Sequence, residues 1–486
     1  MRLALRAPRA PGAVARLGAT LALVATSCLA VALVWALVGF PAQTLTDIDQ
    51  GRVDSASRPL DGSRTLGQTF RSRRANLSAI EFWAVVYDAE APLPAGARMR
   101  LTLERLGEGG VGPEPVREVW VDLSGLRHNE RLRVAFTPLA DSAGVAYRAT
   151  VWTPEDYGLA LWRTDTDAYA PGGLLEGGAP APGDLSMTTH YTYGPVDALR
   201  HLASRAGAAA LLLPGLLLLL PGYALALWLP ADRRWDGWTR LALVLALAIA
   251  FWALLALWAG TLGVNAGGPR ARVVLGGMGA LAAVALARGR RVFLPAGNTS
   301  GDGAARTVHV AMVVVLALAV AGRALNVRDL VVPNWVDSLH HTLIARLISE
   351  AGGVPATYEP YLPVENLHYH FGLHAAAAGL TWILPLRADE AVLLLGQALS
   401  ALAPLAAYTL AGWLFRRRWA GVGAALVAGS LSYMPAYYAS WGRYTQLAGL
   451  VVLPAACLAA CRTLERDGFR HAPTAALLSA GLALTH

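Results

Sequence analysis

Five of the eleven histidines fall between His340 and His374, in WVDSLHH and then ENLHYHFGLH. The same stretch holds Asp337, Glu350, Glu359 and Glu365, interleaved with Tyr358, Tyr361 and Tyr369. Asp337, His340 and His341 are three and four residues apart, a spacing that puts them on one face of a helix. An aspartate beside an imidazole can act as a general base or hold a divalent ion. As a first-turn residue Asp337 is equally suited to capping the helix. His370 and His374 have the spacing of a zinc helix, with His368 a third imidazole nearby. The zinc-protease pattern requires Glu at position 371, where Phe371-Gly372 stands. Hydrogen bonding, or binding of a polar head group, suits these histidines better.

A second polar group occurs in YMPAYYASWGRYTQLAG, where Arg443 is flanked by Trp441 and Tyr444. A planar guanidinium binds phosphate oxygens in pairs, so this cluster suits a lipid-linked phosphate or pyrophosphate. The plainer alternative is an aromatic belt with one arginine reaching to lipid head groups. His486, after Thr485, adds a third polar feature.

The elements that must carry these residues are mostly membrane helices. Of 486 residues 55% are hydrophobic and 15% charged, against about a quarter charged in soluble domains. Apolar runs at 17–40, 206–229, 241–262, 273–287, 308–327, 391–415, 420–436, 447–460 and 472–486 predict about nine spans. The run at 374–386 is short and predicts an interfacial or re-entrant helix. All 41 basic residues are arginine, as in a GC-rich bacterial genome. The arginines gather in short clusters between apolar runs, as orientation signals do, so the net charge of +8 does not imply a nucleic-acid partner. These clusters are the N-terminal arginines, Arg233–Arg234–Arg240, Arg288–Arg290–Arg291, Arg416–Arg417–Arg418 and Arg462–Arg466–Arg470. Placing every cluster in the cytoplasm predicts a multi-pass plasma-membrane protein with a cytoplasmic N-terminus. Residues 328–386, 437–446 and His486 then lie on the outer face. The segment 335–348 is read as an amphipathic helix, apolar at Val336, Leu339, Leu343, Ile344 and Leu347.

Three parts follow: 1–41, a basic segment and first helix; 42–204; and 205–486, a polytopic domain whose outer loop 328–386 carries the candidate site. Segments 42–204 such as SAIEFWAVVYD, ARMRLTLERL, VREVWVDLSG and VAYRATVWT alternate apolar and polar residues between Gly, Pro and Asp turns. That pattern predicts an extracytoplasmic antiparallel β-sandwich. Cys28, Cys457 and Cys461 all lie in or beside apolar runs, which implies no disulfide framework. The chain stops inside an apolar run, which reads as a fragment of a longer protein.

An outer loop with an aspartate on an amphipathic helix, then a Gly-containing short helix and a span ending in arginines, resembles the GT-C class of glycosyltransferases. That class uses polyprenyl-phosphate sugars and includes protein mannosyltransferases and the oligosaccharyltransferase catalytic subunit. The resemblance covers about 308–486 and implies a GT-C-like helical fold, with the lipid bilayer, a polyprenyl-phosphate-linked sugar and a glycan acceptor as partners. It implies Asp337 as the base that deprotonates the acceptor hydroxyl and Arg443 as a group for the donor phosphate. His340, His341, His368 and His370 would line the sugar pocket, with Trp441, Tyr444 and His486 near the substrate. Many relatives carry a second acid where Ser338 stands, so no cofactor is implied firmly; a divalent metal ion is the one candidate. Simpler relatives also have one span before this loop, where four and a β-domain precede it here. The main alternative is a non-enzymatic, membrane-anchored glycan-binding or polysaccharide-assembly protein whose ligand module is the β-domain, with Trp83, Trp120, Trp152 and Trp162 able to stack on sugars. A transporter is disfavoured because no span carries a charge near its middle.

Overall fold

The computed structural model describes residues 42–88, 91–107, 112–204, 208–230, 232, 234–293, 302–465 and 468–486. The expected first helix, the N-terminal arginines, Arg233 and Arg466 lie outside these residues. The chain divides into two compact units, one ending at Ala198 and the other running from Leu199 to His486.

The first unit is a two-sheet antiparallel structure. One sheet has the order β1(Gln43–Gln50), β13(Met187–Tyr193), β4(Leu77–Val86), β9(Leu159–Thr164), β12(Asp184–Leu185), with β2(Ser55–Ala56) on β9 and β7(Arg131–Leu139) on β4. The other runs β11(Ala179–Ala181), β10(Leu174–Glu176), β3(Leu66–Arg71), β8(Ala146–Trp152), β5(Arg98–Arg105), β6(Glu114–Asp122). Strict alternation explains the packing. Met99, Leu101 and Leu103 of β5 are buried while Arg98, Arg100, Thr102 and Glu104 face out. Phe70, Ile80, Phe82, Tyr147 and Val151 complete a core shared by both sheets. The sequence pattern shows β4 to β9 clearly. It misses β1 and β13, whose polar QTLTDIDQ and MTTHYTY pair with each other.

The second unit is helical: α1(Pro195–Ala203), α2(Ala208–Trp228), α3(Gly237–Leu262), α4(Pro269–Ala287), α5(Asp302–Val327), α6(Val336–Ala351), α7(Gly372–Ile383), α8(Ala388–Leu414), α9(Arg418–Leu426), α10(Ala436–Ser440), α11(Tyr444–Leu464) and α12(Ala472–Thr485); α1 begins before the boundary between the units. Among the described residues α3, α4, α5, α8 and α11 are long and apolar enough to cross a membrane. The protein is therefore a membrane protein by its helices, with five such spans among the described residues; of the nine predicted runs, 17–40 and part of 206–229 lie outside those residues. The run at 420–436 does not form one helix. It breaks into α9, a π turn over Val427–Leu431 and, after Pro435, the short α10. Gly429 and Ser430 are weak helix formers and Pro435 has no N–H to donate, which accounts for the break. The last apolar run forms α12, Ala472–Thr485. The 12-residue α7 does not lie on a surface as an interfacial helix would. Its Ala375–Ala378 run and most of its other residues are buried, because small side chains let α3, α6 and α8 approach closely.

Interactions among the basic clusters place them at one end of the helical unit. Arg462, at the end of α11, pairs with Asp232 and Glu465. Arg234 reaches Glu465 at 3.1 Å, and Arg240 donates to the carbonyls of Val292 (2.6 Å) and Asp232 (3.0 Å). Asp236 caps α3 through Thr239 N–H, accepts from the Tyr408 hydroxyl at 2.5 Å and lies 3.5 Å from Arg418. Arg443 stands at the other end of α11, a helix of 21 residues and so about 30 Å long.

Candidate functional site

The site is built where the first turn of α6 meets the turn before α11. The chain enters α6 through Trp335, whose φ of +75° is uncommon for a bulky residue. The Ser338 hydroxyl donates back to the Asn334 carbonyl and the Ser338 N–H to the Trp335 carbonyl at 3.1 Å, so the turn is closed locally. Opposite it, Gly442 has φ +67°, and a Cβ there would lie 2.9 Å from the Ser338 hydroxyl oxygen. Only glycine suits both constraints, and the close approach sets Arg443 against Asp337.

The buried face of α6 differs from the one its apolar pattern predicts. Ser338, His341, Ile344, Ala345, Leu347 and Ile348 point inward, whereas Val336 and Leu339 are about three-quarters exposed. A polar buried stripe in the first two turns results, because His341 has partners inside the bundle. His341 Nε2 lies 2.9 Å from the Gly442 carbonyl and Nδ1 lies 2.9 Å from His374 Nε2 on α7. A carbonyl only accepts, so His341 carries its proton on Nε2 and its bare Nδ1 accepts from His374 Nε2–H. Burial lowers the pKa of His341 to about 4, the Gly442 carbonyl opposing the shift and His340 adding to it. Burial first, and neighbouring histidines second, push fully enclosed His374 well below the ordinary imidazole range. Both rings are neutral at pH 7, so neither is a base poised for proton transfer. They tie α6, α7 and the Gly442 turn together.

Around this pair the remaining rings form a partly open cluster. His340 Nε2 lies 3.0 Å from the Tyr358 hydroxyl and its ring sits edge-on to Tyr369, centroids 5.1 Å apart. Tyr369 also packs against His370 at 4.3 Å, and His370 against His486 at 5.4 Å. Burial lowers the pKa of His340 and of His370, the Asp337 charge opposing the first shift and His486 adding to the second. Asp337 Oδ2 is 3.3 Å from Arg443 Nη1, with both side chains about two-fifths exposed. Arg443 also lies over the Trp441 ring, 4.8 Å from its centroid.

Of the residues singled out from sequence, the structure thus joins Asp337, Arg443 and Trp441 in one contact set and His340, His341, His370 and His486 in another. His368 is exposed and meets none of these rings among the described residues. Tyr444 is wholly buried; its ring packs so closely on Gly396 that an added Cβ would come within 2.2 Å. It is a packing residue. His370 precedes α7, so His370 and His374 do not share a helix face. Among the described residues no three His, Cys, Asp or Glu side chains converge as a metal ion would need. Tyr369, which touches four of the histidines or their neighbours, carries no sequence signal beyond its place between His368 and His370.

Residues 215–486, more than half of the sequence, match a family of unknown function, DUF6541. The chain belongs to the DUF6541 family. The match takes in α3 to α12 and every residue of the site above. No curated protein matches the chain. Among solved structures, the crystal structure of Yersinia pseudotuberculosis-derived mitogen (YPM) is similar at 11% identity over 27% of this chain and 94% of that one. Its TM-score of 0.15 is too low to carry an argument.

Proposed function

We propose that this DUF6541 protein is a membrane glycosyltransferase of the GT-C kind, moving a sugar from a polyprenyl-phosphate donor to an extracytoplasmic acceptor. The observation that supports this reading most is the Asp337–Arg443 pair, half open to solvent at the end of the helices remote from the arginine clusters. Under the positive-inside rule the arginine end faces the cytoplasm and the Asp337 end faces out, with the chain crossing the plasma membrane repeatedly.

A pair as exposed as this one contributes at most about 1 kcal/mol. An incoming phosphate can therefore take Arg443 from Asp337 at small cost, which leaves the carboxylate free beside the bound donor. Asp337 then accepts the proton of an acceptor hydroxyl, whose oxygen attacks the anomeric carbon. The bond from that carbon to the phosphate oxygen breaks, and the leaving polyprenyl phosphate keeps the electron pair and the charge that Arg443 neutralises. One displacement inverts the anomeric centre. His340, His370 and His486, half-buried or exposed rings in the cluster around Tyr369 and His370, offer hydrogen bonds to sugar hydroxyls.

The test uses the full chain in lipid nanodiscs with farnesyl phosphate esters of mannose, glucose and arabinose, and released farnesyl phosphate as the readout. Asp337→Asn keeps the shape of the side chain and should cut transfer by about 10²- to 10⁴-fold, with unchanged melting. An Asn variant that folds normally and transfers at the native rate would remove Asp337 from the role of base.

A further inference from the structure

Each sheet of the β-unit carries a pair of tryptophans on its outward face, and the two pairs are built differently. On the seven-stranded sheet Trp83 and Trp162 donate their indole N–H groups to Asn129, to its carbonyl (2.9 Å) and its side-chain oxygen (2.7 Å). Arg131 covers the Trp83 ring at 4.2 Å. Arg131 also lies 3.9 Å from Glu81, so the charge beside those indoles is met on the sheet itself.

On the six-stranded sheet the register aligns Trp120, Arg100 and Trp152 in one row across β6, β5 and β8, with Asp122 and Arg98 in the next. The intervening residues Met99, Leu101 and Val151 are buried, so the row faces outward. The Arg100 guanidinium lies 4.9 Å from the Trp152 centroid and 5.9 Å from that of Trp120, and Arg98 lies 4.9 Å from Trp120. Trp120 is 46% exposed. Neither Arg98 nor Arg100 is in an ion pair among the described residues, although Asp122 is the register partner of Arg98. Arg148, further along the same face, is paired with Glu104 at 2.6 Å. Arg100 Nε is shut off from water with no hydrogen-bond partner. Trp152 donates to the Gly62 carbonyl at 2.8 Å, anchoring a loop that walls a cavity of about 240 Å³ lined by Arg58, Arg64, Thr65 and Glu176.

We propose that this row is a binding platform for an acidic saccharide, a chain of sugars bearing carboxylates, with Trp120 and Trp152 as stacking surfaces and Arg98 and Arg100 as carboxylate ligands. Indole faces cover the C–H faces of pyranose rings, and two unpaired guanidinium forks match carboxylates in geometry and charge. Glu118 and Asp122 on the same face accept hydrogen bonds from sugar hydroxyls. The platform is independent of sugar transfer in the helical unit, so either can fail without the other.

The experiment titrates the full chain in neutral-lipid nanodiscs with oligogalacturonate and with alginate oligomers, following tryptophan fluorescence and calorimetric heat. Methyl-esterified oligogalacturonate, maltoheptaose and a single-stranded oligonucleotide are the comparators. Expected are saturable binding of an acidic oligomer, at least tenfold weaker binding of the ester and of maltoheptaose, and a tenfold or greater loss in Trp120→Ala and in Arg100→Gln. Trp83→Ala, on the other face, should bind as the native chain does. Unchanged melting of the variants separates lost contacts from lost folding. No binding of either acidic oligomer, equal binding of the ester, tighter binding of the oligonucleotide, or an equal loss in Trp83→Ala overturns the proposal.

Discussion

Acidification should unsettle the site through His341 specifically. With a folded-state pKa of about 4 and an unfolded value of about 6.5, the unfolded chain binds a proton that the folded one refuses. The stability this ring contributes is present above pH 6.5 and is lost as pH falls from there towards 4. By linkage the loss is about 2 kcal/mol at pH 5 and about 3 kcal/mol once pH 4 is passed. His341→Gln is the informative variant. Its amide N–H can donate to the Gly442 carbonyl and its amide oxygen can accept from His374 Nε2–H, so both contacts survive without an ionisable ring. Melting of native and variant protein in nanodiscs between pH 7.5 and 5 should show a steeper fall for the native chain. His374 remains in both, so the variant keeps part of the acid sensitivity. Nitrogen NMR of labelled histidine should show His341 neutral, with its proton on Nε2, down to pH 5. Parallel melting curves, or a proton on Nδ1, would refute the tautomer and burial argument.

Two further predictions concern packing. Gly396→Val would force a side chain into the Tyr444 ring, 2.2 Å from the position of the new Cβ, and cost about 1–3 kcal/mol or more; a lower melting temperature and poorer yield in detergent would show it. Asp232→Asn would leave buried Arg462 with Glu465 as its remaining ion-pair partner among the described residues. Because Glu465 still meets the charge, a loss of about 1–2 kcal/mol is expected, and melting unchanged from the native protein would contradict the buried-pair reading of that end.

The two texture classes of the chain are legible in its sequence. Alternation in residues such as Met99, Leu101 and Leu103 predicts strands because a pleated backbone sends every second side chain to one side. Long apolar runs predict α3, α8 and α11 because a helix must offer lipid an unbroken apolar surface. The strand pair of β1 and β13 escapes that reading, since its core residues Ile48 and Met187 stand among mostly polar neighbours without period-two alternation, and only pairing across more than a hundred residues makes them strands. The run at 420–436 is apolar enough for a span, yet its glycine, serine and proline break it.

At the site, composition alone singles out Asp337, the histidines and Arg443, because charge is scarce in a membrane chain and stands out. Sequence cannot say which of those polar groups face each other. His341 and His374 are 33 residues apart, and only the crossing of α6 with α7 makes them a hydrogen-bonded, neutral pair instead of candidate bases. Four helices, α7 to α10, lie between Asp337 and Arg443 in sequence. Positive φ at Gly442, with no room for a side chain against Ser338, brings them within 3.3 Å. Residue type follows from local chemistry that a sequence displays. Burial, tautomer and ion pairing depend on which distant segment packs alongside, and that is settled only when the helices pack.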